Sequence, residues 1–147
     1  MILADEAASA RLGAAIAARL RPGDVVALQG PLGAGKTTLA RSILVALGLE
    51  GEAPSPTFAI VQPYDPPAVR LPVCHVDLYR LDGPEDAEEL GLDDALADGA
   101  LLVEWPERMG ARLWPEALIL AIEPQGDGCR RLTATVPAPW EERWPPQ

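Results

Sequence analysis

The stretch Gly30-Pro31-Leu32-Gly33-Ala34-Gly35-Lys36-Thr37 satisfies G-x-x-x-x-G-K-[ST] at every specified position. Glycines at these places let successive backbone N–H groups turn inward around phosphate oxygens. A helix that starts there adds its unpaired amides and the positive end of its dipole. Lys36 then reaches the β- and γ-phosphates of a nucleotide, and the Thr37 hydroxyl ligates Mg²⁺. A chance match is expected in roughly one chain in two hundred of this length. Here the motif's lysine is also the chain's one lysine, beside eleven arginines.

Phosphate loops of this type work with a carboxylate at the end of a nearby strand. Two apolar runs end that way: Val73-Cys74-His75-Val76 runs into Asp77, and Leu101-Leu102-Val103 runs into Glu104. Either carboxylate projects from the C-terminal edge of a parallel sheet, where ligands of open α/β sheets bind. Spacing alone does not rank them. Ser55 and Thr57 supply hydroxyls in a proline-stiffened loop that can sense a γ-phosphate, although S-P-T is also ordinary turn chemistry.

The elements that must position these groups follow from periodicity. Residues 4–20 predict a helix, with Leu12, Ile16 and Leu20 at four-residue spacing and Asp5 and Glu6 in its first turn. Val25–Leu28 reads as a buried strand directly before the glycine loop, and residues 36–47 as the helix directly after it, closed by Gly48. Extended runs follow at Thr57–Val61, Val73–Leu78 and Leu101–Val103. The acidic stretch 82–98 reads as one or two short helices broken at Gly91. Residues 117–122 and 131–136, joined by Gln125-Gly126-Asp127-Gly128, predict a terminal hairpin. The alternation implies an α/β fold, a P-loop NTPase-like three-layer sandwich with a mostly parallel central sheet and a C-terminal antiparallel hairpin. One domain spans residues 1–136. The tail 137–147 reads as a loosely held end whose two tryptophans mark packing onto the body.

Composition narrows the function. With 147 residues, 48% apolar and 23% charged, the chain suits one globular domain. Twelve basic against 22 acidic residues give a net charge of −10, which argues against gripping nucleic acid or anionic lipid over a broad face. Cys74, Cys129 and the single histidine His75 fit no zinc spacing and no disulfide framework. The first twenty residues carry four charges at Asp5, Glu6, Arg11 and Arg19 and resemble neither a signal peptide nor a membrane span. The expected setting is the reduced cytoplasm.

Several segments, in order, resemble the TsaE (YjeE) family of bacterial P-loop ATPases: Leu12-Gly13, LGAGKTTL at 32–39, SPTF at 55–58, HVDLYRL at 75–81, EELGL at 88–92 and VEWPE at 103–107. GKT is common to many NTPases; SPTF, H-x-D-L-Y-R and E-W-P-E together are far more specific. The resemblance implies ATP and Mg²⁺ as ligands. It makes Gly33, Ala34, Gly35, Lys36, Thr37 and Thr38 the phosphate cradle, with Thr37 and Glu104 at the metal and Asp77 as a Walker-B-like acid near the phosphates. It implies a switch role for Thr57 and a conformational role for Trp105 beside the nucleotide. Ser9 falls near the adenine end, where the family usually has Thr, and Arg130 or Arg131 falls near the nucleotide. Pro31 replaces a more usual acidic residue. The implied partner is a TsaB–TsaD heterodimer, whose TsaD subunit transfers threonylcarbamoyl to a tRNA adenosine beside the anticodon; contact with tRNA is then indirect. Two other readings stand beside it. One is a small-molecule kinase, disfavoured because Arg70 and Arg80 are the only cations between the loop helix and Glu104. The other is a nucleotide-gated interaction protein with negligible turnover.

Overall fold

Asp5 starts the first helix: its carboxylate accepts the Ala8 N–H at 2.9 Å and caps α1 (Glu6–Arg19). The computed structural model describes residues 1–51 and 61–144. Besides α1, these form β1 (Ile2–Leu3), β2 (Val25–Gln29), α2 (Lys36–Ala46), β3 (Val61–Tyr64), β4 (Val73–Asp77), α3 (Pro84–Glu88), α4 (Leu92–Ala95), β5 (Ala100–Glu104), β6 (Leu118–Gly126) and β7 (Cys129–Thr135). Two 3₁₀ segments, Pro106–Arg112 and Ala138–Trp140, complete the list.

All seven strands join one sheet in the order β1-β7-β6-β2-β5-β4-β3. The central pairs β6–β2, β2–β5 and β5–β4 are parallel; β1–β7, β7–β6 and β4–β3 are antiparallel. This is the α/β arrangement expected, including the antiparallel C-terminal hairpin. The run expected over Thr57–Val61 meets the described residues only at Val61, the first residue of β3. Gly91 breaks the acidic stretch as anticipated, with φ +69° between α3 and α4.

Alternation along the strands divides the interior into two layers. Val26, Leu28, Val73, Leu102, Leu118 and Leu120 face α1 and α2, where Leu12, Ile16, Leu39 and Ile43 meet them. Val25, Ala27, Val76, Leu101 and Val103 face the other way, onto Leu81 from the loop after β4 and Ala87, Leu92 and Met109 from α3, α4 and the 3₁₀ segment Pro106–Arg112. Helices α1 and α2 touch closely at Gly13, where a Cβ would lie 2.5 Å from the Ser42 Cβ. A larger residue there would push the loop-bearing helix off its seat.

Residues 137–144 are not a loose end. Trp140 is fully buried and Trp144 packs partly against the same core as α1 and α2, so the tryptophans do mark packing onto the body. Arg143 is buried as well: its guanidinium donates to both oxygens of Asp24, at 2.7 and 3.0 Å, and to the Arg19 carbonyl at 2.8 Å. It also lies 3.9 Å from the Trp140 ring centroid. Asp24 directly precedes β2, so the chain's end ties down the strand that leads into the glycine loop. The sequence reading had this segment as a loosely held end, but a charge forked onto a buried carboxylate satisfies burial where a free charge would not. Among the described residues, no helix is long and apolar enough to cross a membrane.

Candidate functional site

β2 ends at Gln29 and α2 begins at Lys36, so the glycine loop sits at the C-terminal edge of the parallel strands. Gly35 adopts φ +105°, a conformation that favours glycine, and it directly precedes the first helical residue. Its missing side chain also makes room: a Cβ would come within 2.5 Å of the Arg130 guanidinium, which lies over the loop from β7. The loop borders a cleft of about 440 Å³ lined by Gly33, Ala34, Gly35, Lys36, Thr37 and Thr38, with Asp77, Glu104 and Arg130 opposite.

The register of the sheet brings the two carboxylates together. Asp77 of β4 is paired with Glu104 of β5, and both are the last residues of their strands. Glu104 is buried and accepts the Thr37 hydroxyl, with Oγ1 2.8 Å from Oε1 and 3.1 Å from Oε2. Asp77 accepts the Tyr79 N–H at 3.0 Å. Lys36 is only 4% exposed, and its ammonium donates to the carbonyls of Gly30 and Pro31. That ammonium also lies 3.5 Å from the Trp105 ring centroid. Burial pushes Lys36 below the ordinary lysine value, opposed by Glu104, Glu107 and Asp77. Burial likewise raises the Asp77 carboxyl; the Tyr79 N–H opposes this, Glu104 adds to it, and His75 and Lys36 oppose it.

The Asp77 shift has a consequence for stability. A carboxyl whose folded value exceeds its unfolded one costs the fold when it ionises, so its favourable contribution is present at low pH and is lost as pH rises through the folded value. Asp77→Asn is therefore expected to melt at a higher temperature than the parent chain at neutral pH without nucleotide. The gain should shrink as pH falls and vanish below the ordinary aspartate value of about 3.9. Melting curves followed by circular dichroism across that range check it; a constant gap, or a lower melting point at neutral pH, would refute it.

Of the described residues singled out by sequence, Ser9 and Arg131 do not line this cleft. Ser9 is buried in α1 and is absent from the lining. A shallower depression along α1 and α2, about 590 Å³, does share Thr38 with the cleft and includes Glu6, Ala10 and Ala14 from the helix that carries Ser9. Thr57, with Ser55, lies outside the described residues. Arg130 lines the cleft and Arg131 does not.

Sequence reasoning gave no site role to Leu32, Tyr79 or Arg80, which also line the cleft. Tyr79 lies against Trp105, with ring centroids 5.0 Å apart and planes at 48°. The positions of Tyr79 and Arg80 just after β4, and of Leu32 after β2, were the available signal, since loops at that sheet edge face the ligand. Trp105, which follows Glu104, adopts φ +60° and ψ +51°, an uncommon conformation for a bulky residue that aims its ring across Lys36. His75 was read as a strand and motif residue and as evidence against zinc, with no site role, yet its Nε2 lies 2.6 Å from Glu104 Oε2.

The donor set suits a small hard cation. Thr37 and Glu104 offer oxygen ligands at the mouth of a phosphate loop, and Mg²⁺ takes one or two protein oxygens and completes its shell with phosphate and water.

Comparison with known proteins agrees with this architecture. The family model described as "Threonylcarbamoyl adenosine biosynthesis protein TsaE" matches residues 3–132. Proteins named tRNA threonylcarbamoyladenosine biosynthesis protein TsaE are similar along most of their length. The one from Streptomyces coelicolor is 41% identical over 129 residues, covering 84% of this chain and 87% of its own. That from Bacillus subtilis is 40% identical, covering 87% and 77%, and that from Treponema pallidum 34%, covering 85% and 91%. The crystal structure of Bacillus subtilis YdiB superposes with a TM-score of 0.80 at 31% identity, over 97% of this chain and 87% of that one. With the family model spanning nearly the whole sheet from β1 into β7, this chain belongs to the TsaE family.

Proposed function

We propose that the chain is a Mg²⁺-dependent ATPase subunit of tRNA threonylcarbamoyladenosine biosynthesis, acting in the cytoplasm through a TsaB–TsaD heterodimer. The observation that carries this reading is one cleft holding a complete phosphate loop, its lysine and two strand-end carboxylates. Membership of the TsaE family supplies the pathway.

In this reading the loop amides and the start of α2 grip the β- and γ-phosphates. The Lys36 ammonium exchanges the Gly30 and Pro31 carbonyls for phosphate oxygens. The base lies toward the depression bordered by Thr38 and α1, beneath which Ser9 supports the helix by packing. Mg²⁺, when bound to Thr37 and Glu104, neutralises charge on the phosphate oxygens. Asp77 orients the attacking water, and Arg130 places a cation over the loop where negative charge accumulates. Thr57 carries the state of the γ-phosphate to its loop. The acidic body leaves tRNA binding to the partners, as the net charge of −10 favours.

Single-turnover ATP hydrolysis with and without purified TsaB–TsaD tests the proposal. The expected result is slow hydrolysis alone, a nucleotide-dependent complex, faster turnover within it, and repeated rounds of threonylcarbamoyl transfer. A complex that forms with ATP but hydrolyses it no faster than a Lys36→Ala control would identify a nucleotide-gated interaction protein instead. Absence of any complex, with modification continuing without this subunit, would refute the function outright.

A further inference from the structure

His75 is fully buried on β4, two residues before Asp77 and therefore on the same face of the sheet. Its pairing partner on β5 is Leu102, two residues before Glu104. A diagonal across neighbouring strands is within reach of two long side chains, and here Nε2 closes to 2.6 Å on Glu104 Oε2. An ionised carboxylate only accepts, so Nε2 carries the proton and donates. The other ring nitrogen, Nδ1, has no partner among the described residues. The hydrogen bond to Glu104 is thus the one polar contact that these residues give the ring.

Glu104 would otherwise have a competing attraction. Among the carboxylates acting on the Lys36 ammonium, that of Glu104 has the largest effect, yet among the described residues Lys36 makes no ion pair with any carboxylate. Glu104 Oε2 is held by His75 at 2.6 Å and also lies 3.1 Å from the Thr37 hydroxyl, whose shorter contact, 2.8 Å, is to Oε1. We propose that His75 is a positioning residue: it fixes the Glu104 carboxylate toward Thr37, ready for Mg²⁺, and withholds it from Lys36. This rests on the proposed metal site at Thr37 and Glu104 and adds the group that orients it. Such supporting hydrogen bonds behind a ligand typically govern metal affinity by about 10–100-fold.

The test uses titration calorimetry of ADP with and without Mg²⁺ on the parent chain, His75→Leu and His75→Gln. Glutamine places an amide N–H donor close to where Nε2 stands. The expected result is unchanged ADP affinity in EDTA for all three. The Mg²⁺-dependent gain should fall about 10–100-fold in His75→Leu and recover largely in His75→Gln. An undiminished gain in His75→Leu, or an equal loss in both variants, overturns the proposal. If the parent chain itself shows no Mg²⁺-dependent gain, both this proposal and the metal site beneath it fall. Should the variants fail to fold, the parent chain gives an independent reading, because His75 is its only histidine. Its ¹⁵N imidazole spectrum should show an Nε2-protonated ring whose resonances move with Mg²⁺ and ADP but not with ADP in EDTA. A ring protonated only at Nδ1, or one insensitive to Mg²⁺, overturns the assignment.

Discussion

Lys36→Ala is expected to lower ATP turnover by roughly 10²–10³-fold, the range for deleting one preorganised electrostatic donor at developing charge. In this chain the effect has no local rescue. No second lysine exists, and the other cleft cations among the described residues, Arg80 and Arg130, come from the loop after β4 and from β7 rather than from the phosphate loop. The folded state should tolerate the change. Lys36 is buried at a cost to its charge, and its partners Gly30 and Pro31 are carbonyls that water reaches once the side chain is gone. Calorimetry and single-turnover hydrolysis check both halves. Unchanged ATP affinity together with unchanged turnover would remove the loop from the mechanism.

Arg143→Ala should have the largest effect on stability. It leaves Asp24 buried with neither of its two guanidinium donors and strips the Arg19 carbonyl of its partner. Breaking one side of a buried pair costs about 3–5 kcal/mol, which for a chain of this size lowers the melting temperature by about 10 °C or more. The double change Arg143→Met with Asp24→Asn should recover much of the loss, since neither residue then carries a stranded charge. Chemical denaturation of the three proteins decides it; an Arg143→Ala midpoint within error of the parent would show that the contact contributes little.

Legibility from sequence followed the distance over which each feature is encoded. The phosphate loop was readable because its function lies in the backbone conformation of eight consecutive residues. The carboxylates Asp77 and Glu104 were readable as strand ends, and the parallel register that sets them side by side follows from the fold class. His75 was not readable as a partner of Glu104: the two meet only because β4 and β5 pair in one register with both side chains on the face covered by α1 and α2. Arg143 and Asp24 were harder still, being 119 positions apart and joined by neither strand pairing nor helix periodicity. Composition pointed the wrong way there, since proline and charge in a tail usually mark a mobile end. Ser9 shows the converse limit. A correct helix assignment located its element but not the inward direction of its side chain.

The place of β2 in the strand order bears on how the chain is made. β2 carries the phosphate loop, but its two neighbours are β5 and β6, which begin at Ala100 and Leu118. On the ribosome, where synthesis runs at about 5–20 residues per second, β2 emerges many seconds before either neighbour and waits with both hydrogen-bonding edges open. Even β1 waits, for β7. A nascent chain halted before Ala100 therefore displays the whole glycine motif without the sheet that shapes it. Nucleotide binding should consequently arise late and all at once, and amino-terminal fragments that keep the motif but lack β5 and β6 should be poor binders and prone to associate through the bare edges of β2.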